Sequence, residues 1–418
     1  MRIEESIGEK RTVSRERKDA GSVLFFLCFI PLLMSLTLRT TVLPYAQSDA
    51  LWTFNYVLTI VVCVAMTAKV LFLDTYRDTT AKLLIMLMLV LVFCQSAFLV
   101  LSWELSTVFA LCVGSFGVDL KKIYKVYLVE SSAILFVALI LSLTGAIPNL
   151  PFEKFGRIRY ALGTIYCTDF SARVFYLLLL FLLLFHTRLK IPHLLLLAGL
   201  SFAVFVPTFG KLDFACSILA LILFGMHMYV RSHEDSATAV WWKKAWPKIG
   251  LLSMPVASVV MFFLSYFFSP DNRFTSFVDQ VITGRLALGK NGFSEFGVTV
   301  LGHSVVYRGA YVTENYNFVD CSYLNMLFKE GVIAVLVVIA VYVLIAKKHK
   351  DHLPVMYILA MVSLNCMLEH HIIDMAYNPF MLLLLADTGA IFGSGRTVPG
   401  EQEKKGPGGS ETGHEKMT

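Results

Sequence analysis

Apolar runs of about twenty residues recur along almost the whole of this chain, and the run at 83–102 contains no Asp, Glu, Lys or Arg. A helix needs about 20 such residues to cross the roughly 30 Å hydrocarbon core of a bilayer. The expected fold class is therefore all-α, a polytopic integral membrane protein. Composition agrees. The chain is 57% hydrophobic and 16% charged, with a mean hydropathy of +0.69, against about 45–50% apolar and about 25% charged for soluble domains. The 418 residues leave room for a dozen spans joined by short loops.

Twelve transmembrane helices are expected, at 21–38, 51–72, 83–102, 105–118, 126–146, 171–187, 192–208, 212–230, 249–268, 324–346, 354–370 and 376–392. The run at 192–230 is divided at Pro207-Thr-Phe-Gly210-Lys211. With the N-terminus inside, 25 of the 36 Lys and Arg residues fall on the cytoplasmic side, and every cytoplasmic segment carries some of them. The positive-inside rule then places both termini in the cytoplasm. Residues 1–20 form a basic N-terminus. Lys10–Lys18 precede an apolar run with no small-residue cleavage site, as in a retained signal anchor. The membrane domain is 21–392, and 393–418, rich in Gly, Glu and Lys, reads as a disordered cytoplasmic tail.

The net charge of +6 follows from this loop distribution and gives no reason to expect nucleic acid. The eight cysteines include no CxxC pair. Six lie in apolar stretches, where Cys behaves as a small hydrophobe. Cys167 and Cys321 fall in segments expected on the outer side, where pairing is open to them.

Function is expected on the two long outer loops, 147–170 and the large extracytoplasmic loop 269–323, since long ordered loops are usually functional. The outer side holds basic residues despite the positive-inside rule. Arg157, Arg159 and Arg173 flank the first loop, Lys211 sits at a tight turn, and Arg273, Arg285, Lys290 and Arg308 lie in the large loop. Each alone can be loop solvation; together they suggest an anion pocket, because Arg holds phosphate through paired charge-assisted hydrogen bonds. Asp169 and Arg173, four apart, share a helix face. Asp320 and Tyr323 open the tenth span, and Glu369, His370, His371 and Asp374 cluster at the end of the eleventh. His370 and Asp374 share a face if the helix continues. No second cluster at matching depth argues for a metal, and none is expected.

Other motifs are missing. The chain has no Asp-x-Asp for metal-diphosphate binding and no Gly-x-Ser-x-Gly for acyl transfer. The stretch from Gly284 to Asn291 approaches a P-loop but ends in Asn and follows no strand. Span centres are almost free of charge, unlike those of ion-coupled transporters.

Several stretches resemble the Wzy-type polysaccharide polymerases of capsule and exopolysaccharide synthesis. These are Gly117-Val-Asp-Leu-Lys-Lys-Ile-Tyr-Lys-Val, Arg159-Tyr-Ala-Leu-Gly163 running into Thr168-Asp-Phe-Ser-Ala-Arg173, and Gly284-Arg285-Leu-Ala-Leu-Gly289. Phe296-Gly297, Leu301-Gly302-His303, Val319-Asp320-Cys-Ser-Tyr323, Glu330-Gly331, Glu369-His370 and Asn378-Pro379-Phe380 complete the pattern. The resemblance implies a helical fold shared with the O-antigen ligases and metal-independent, cofactor-free transfer of glycans from undecaprenyl diphosphate. Its partners would be the lipid-linked oligosaccharide, membrane lipid, and flippase and chain-length regulator proteins. The ligases' functional basic residues and loop His match Lys211, Arg285 and Asp320 here. Lys211 stands where Arg is commoner, and Asp320 where the ligases have His. On that basis Arg285 and Lys211 would stabilise the leaving diphosphate, and Asp320, then Glu369 or His370, would take the acceptor proton. Arg157, Arg159, Arg173, His303 and Tyr323 would bind substrate. The alternatives are a ligase using the same chemistry and a flippase of the lipid-linked unit.

Overall fold

The computed structural model describes residues 2–74, 79–154, 156–309 and 316–393. Within them the chain is a helical membrane protein, with nine helices long and apolar enough to cross a bilayer. The first eight elements of the bundle are α1 (Arg2–Leu38), α2 (Asp49–Phe72), α3 (Thr79–Gln95), α4 (Glu104–Gly114), α5 (Leu120–Leu143), α6 (Cys167–Phe185), α7 (Ile191–Thr208) and α8 (Lys211–Ser232). Next come α9 (Ala237–Tyr266), α10 (Arg273–Val281), α11 (Arg285–Glu295), α12 (Ser322–Lys329), α13 (Gly331–Lys348), α14 (Leu353–Asn365) and the single turn α15 (Gly389–Phe392). Short polar side chains set several starts. Ser48 accepts from the Leu51 amide and Asp119 from the Lys121 amide, relieving donors that a helix N-terminus leaves unsatisfied.

The helices α6 and α14 form the centre, and the others wrap them with lipid-facing Leu, Val and Phe. Close approach relies on small residues, as is usual between helices in lipid. At Gly250 of α9 a Cβ would lie 2.7 Å from Met356 Sδ of α14, so only glycine lets these two helices touch.

Three expectations need correction. The tenth span is broken. Gly331, at φ +87°, separates α12 from α13, and the bend lets the Thr299–Gly302 segment pass behind it. The eleventh span ends at Asn365 instead of reaching 370. The twelfth, 376–392, is not a helix. Its Asn378-Pro379 pair opens a 3₁₀ turn at Phe380–Leu383, because proline removes a backbone donor and keeps its predecessor out of helical geometry. Residues 366–388 thus cross the bundle as irregular chain. Such backbone survives at membrane depth only when protein satisfies it. Tyr127 donates to the Ala376 carbonyl, Asn378 Nδ2 to Ile372 and Lys348 Nζ to Leu384. This crossing joins two ends of the bundle. At one, Lys18 meets Asp387; the other is the loop end.

The loop end is ordered through much of 269–323, which contributes α10 and α11. The 147–170 loop folds as a hairpin, β1 (Pro151–Lys154) antiparallel to β2 (Arg157–Tyr160). The tail expected at 393–418 lies outside the described residues from 394 onward. Cys167 and Cys321 are both free and buried, so the open pairing is not made.

Candidate functional site at the loop end

Arg285 is the first residue of α11. Gly284 before it stands at φ +90°, a conformation cheap only for glycine. Asp279, on α10, accepts from the amides of Leu286 (2.7 Å) and Ala287 (3.1 Å), so a carboxylate holds the helix N-terminus. The turn aims the guanidinium at the irregular chain beyond α14. Its Nε donates to the Leu368 carbonyl (2.7 Å) and one terminal nitrogen to Thr283 Oγ1 (2.6 Å). The other terminal nitrogen lies 3.3 Å from Glu369 Oε1 and 3.7 Å from Asp320 Oδ2. Three segments far apart in sequence therefore meet on one guanidinium. Burial alone would lower the Arg285 pKa, but Asp320 and Glu369 hold it above the usual value, so the cation is permanent.

The two carboxylates differ in access. The Glu369 side chain is 5% exposed and that of Asp320 21%; Asp320 is the one a substrate can reach. Two phenols stand near. Burial foremost, and the neighbouring Asp320 with it, push the Tyr316 hydroxyl upward, and burial raises Tyr166 likewise. Both remain protonated hydrogen-bond donors. Arg159 is buried; it donates to the Tyr166 hydroxyl (3.2 Å), while its Nε has no hydrogen-bond partner among the described residues. Buried polar atoms are rarely left so. The Arg39 Nε is in the same condition, its guanidinium 3.4 Å over the Trp52 ring.

Arg173 is fully buried behind this site. Its fork donates to Thr37 (3.3 Å) and Thr40 (2.6 Å) and it lies 4.2 Å from the Tyr377 ring centre. Asp169 accepts from the Tyr166 amide instead, closing the N-terminus of α6. His370 packs edge-on against Phe318, 4.8 Å between centroids. Because α14 stops at Asn365, His370 and Asp374 do not share a helix face; His371 Nδ1 is the imidazole nitrogen near Asp374, at 3.9 Å.

The other expected residues lie apart. Lys211 and Arg157 are exposed and share one ring, Nζ 4.8 Å and Cζ 4.2 Å from the Phe209 centre. His303 sits against the Lys329–Glu330 turn, its amide donating to the Lys329 carbonyl. Tyr323 is buried in the bundle, its hydroxyl spent on the Ser363 carbonyl (2.9 Å), which leaves it a packing residue. Reading the sequence alone passes over Tyr166, Tyr316 and Arg39. Only their position in outer loops hinted at them.

Glu369, His370 and His371 bring one ligand atom each within 4.8 Å of one another, a spacing a small cation can bridge. Arg285, however, already occupies Glu369, and a guanidinium 3.3 Å from a ligand carboxylate repels a metal ion. The set fits a cation poorly. Set against known proteins, the chain matches no family model, no curated protein and no solved structure.

Proposed function

We propose that this protein polymerises undecaprenyl diphosphate-linked oligosaccharide repeat units at the outer face of the cytoplasmic membrane. The observation that supports it most is the Arg285–Asp320–Glu369 cluster at the loop end, with Arg159 nearby, its buried Nε without a partner among the described residues. The Lys and Arg distribution puts both termini in the cytoplasm and the loop end outside. The motif resemblance supplies the reaction class.

In this reading the acceptor sugar's hydroxyl oxygen forms a bond to the donor's anomeric carbon. The bond from that carbon to the diphosphate oxygen breaks, and undecaprenyl diphosphate leaves with the electron pair. The acceptor proton passes to Asp320, the accessible carboxylate. Arg159 and the outer face of Arg285 meet the charge growing on the leaving diphosphate. Tyr166 and Tyr316 offer hydroxyl donors and aromatic faces to the sugars. Glu369 keeps the guanidinium in place. The pocket is therefore charge-balanced rather than cationic throughout, because Arg285 already faces two carboxylates. Lys211 and Arg157 serve as a surface contact for headgroup phosphate near the Phe209 rim.

Incubating purified protein with its lipid-linked repeat unit, with a chelator present, is expected to yield a ladder of chain lengths on undecaprenyl diphosphate. A single transfer to a different acceptor would mark a ligase, and translocation without a new bond a flippase. Lys211→Ala is expected to weaken turnover less than tenfold, since Lys211 is exposed and lies beside Phe209; a loss as deep as that of Arg285→Ala would return it to the reaction centre. Asp320→Asn keeps the shape and removes the base. General-base removal typically costs about 10²–10⁴-fold, so kcat should fall on that scale with KM nearly unchanged. Glu369→Gln should cost less. The reverse ranking would make Glu369 the base.

A further inference from the structure

Helix α10 is built inside out for a water-soluble loop. Phe274, Phe277 and Val281 are 65%, 65% and 63% exposed, and their spacing of three and four places them on one face. The side turned toward the protein mixes Val278 and Ile282, which pack on the core, with polar groups. Thr275 is buried and donates to the Ser269 carbonyl (2.9 Å), and Asp279 accepts the two α11 amides. A helix bordering water keeps its apolar residues on the core side; this one also turns Phe274, Phe277 and Val281 outward.

We propose that α10 is an interfacial helix, seated in the leaflet on the loop side of the membrane with its Phe274–Phe277–Val281 face at the boundary of headgroups and acyl chains. Two observations commit the face to lipid. It follows closely along the chain on α9, a spanning helix with Phe263 exposed and Phe267 exposed just beyond its end; α10 begins six residues after Phe267. Arg273, exposed at the first position of the helix, sits where an interfacial helix places a cation against anionic headgroups. The arrangement also bears on the site. Asp279 ties α10 to the N-terminus of α11, so the depth of α10 in the leaflet sets the height of Arg285 above the bilayer.

The test is spin labelling in vesicles of phosphatidylcholine with phosphatidylglycerol. Phe274→Cys and Phe277→Cys are made singly with Cys94→Ser, because Cys94 is the exposed cysteine and the other seven are buried. Oxygen should collide with both labels more often than a water-soluble nickel chelate does. The depth so measured should be about 5–10 Å below the headgroup surface. A label at Asp271→Cys, exposed just before the helix, should show the opposite preference. Preference for the chelate at both phenylalanine positions would put the face in water and overturn the proposal. Low access to both reagents, with broadening between labels, would mean a second copy covers it and would overturn it equally. Two labelled sites guard against one variant misfolding. No turnover is measured, so this result stands or falls separately from the glycosyl-transfer reading.

Discussion

Arg285→Ala is expected to stop chain growth, lowering turnover by at least about 10²–10³-fold, the usual effect of deleting one preorganised donor to developing negative charge. Two losses combine. On the proposed reaction the donors toward the leaving diphosphate vanish, and Glu369, at 5% exposure, is left as a buried carboxylate without its Arg285 partner. Removing one member of a buried pair costs about 3–5 kcal/mol, so the variant should also melt earlier in detergent. The double variant Arg285→Ala/Glu369→Gln separates these effects. It removes the stranded charge and should recover much of the stability, while activity stays lost. Arg285→Lys keeps the charge but not the fork that reaches Leu368, Thr283 and Glu369 together, and should fall between. Wild-type ladder formation by Arg285→Ala would remove the residue from the reaction.

Much of the bundle was legible because membrane spans are written in composition, and composition survives without tertiary context. The break at Pro207–Lys211 is found as read, with α7 ending at Thr208 and α8 starting at Lys211. The crossing at 366–388 was not legible. Chain buried on every side is equally apolar whether helical or irregular, and periodicity cannot separate the two. What satisfies its carbonyls comes from Tyr127, Lys348 and Arg285, each remote in sequence. The site shows the same division. Spacing could nominate Arg285, Asp320 and Glu369, but it could not show that one guanidinium holds both carboxylates. Bridging 84 residues between Arg285 and Glu369 is a property of the fold. Nor could loop membership distinguish Lys211, exposed beside the Phe209 ring, from Arg159, which is buried.

Gly331→Ala should be the most damaging substitution of a single small residue. The chain crosses itself here, backbone on backbone. Gly302 stands at φ +83° and Gly331 at φ +87°, and a Cβ on Gly331 would overlap the Gly302 nitrogen and lie 2.8 Å from the Val300 carbonyl oxygen. Neither neighbour is a side chain that can swing aside. The crossing also does the work of a cap for α13. The amides of Val332 and Ile333 donate to the carbonyls of Thr299 (3.0 Å) and Val300 (3.2 Å), and His303 donates back to Lys329 (3.0 Å). Left-handed geometry costs a non-glycine residue about 1–2 kcal/mol. Each hydrogen bond lost when the two segments part adds about 1 kcal/mol. The expected loss is therefore above about 3 kcal/mol, in the range reserved for a few identifiable mechanisms. Gly297 is the internal control, since it has φ +69° but open space around it; Gly297→Ala should cost only the conformational part. Thermal unfolding of the two variants in one detergent makes the comparison. Equal midpoints would mean that the crossing yields to a methyl group, and that the break between α12 and α13 has another cause. A much lower midpoint for Gly331→Ala would tie Leu301-Gly302-His303 and Glu330-Gly331 together as one structural motif, holding the large loop over Asp320 without His303 touching substrate.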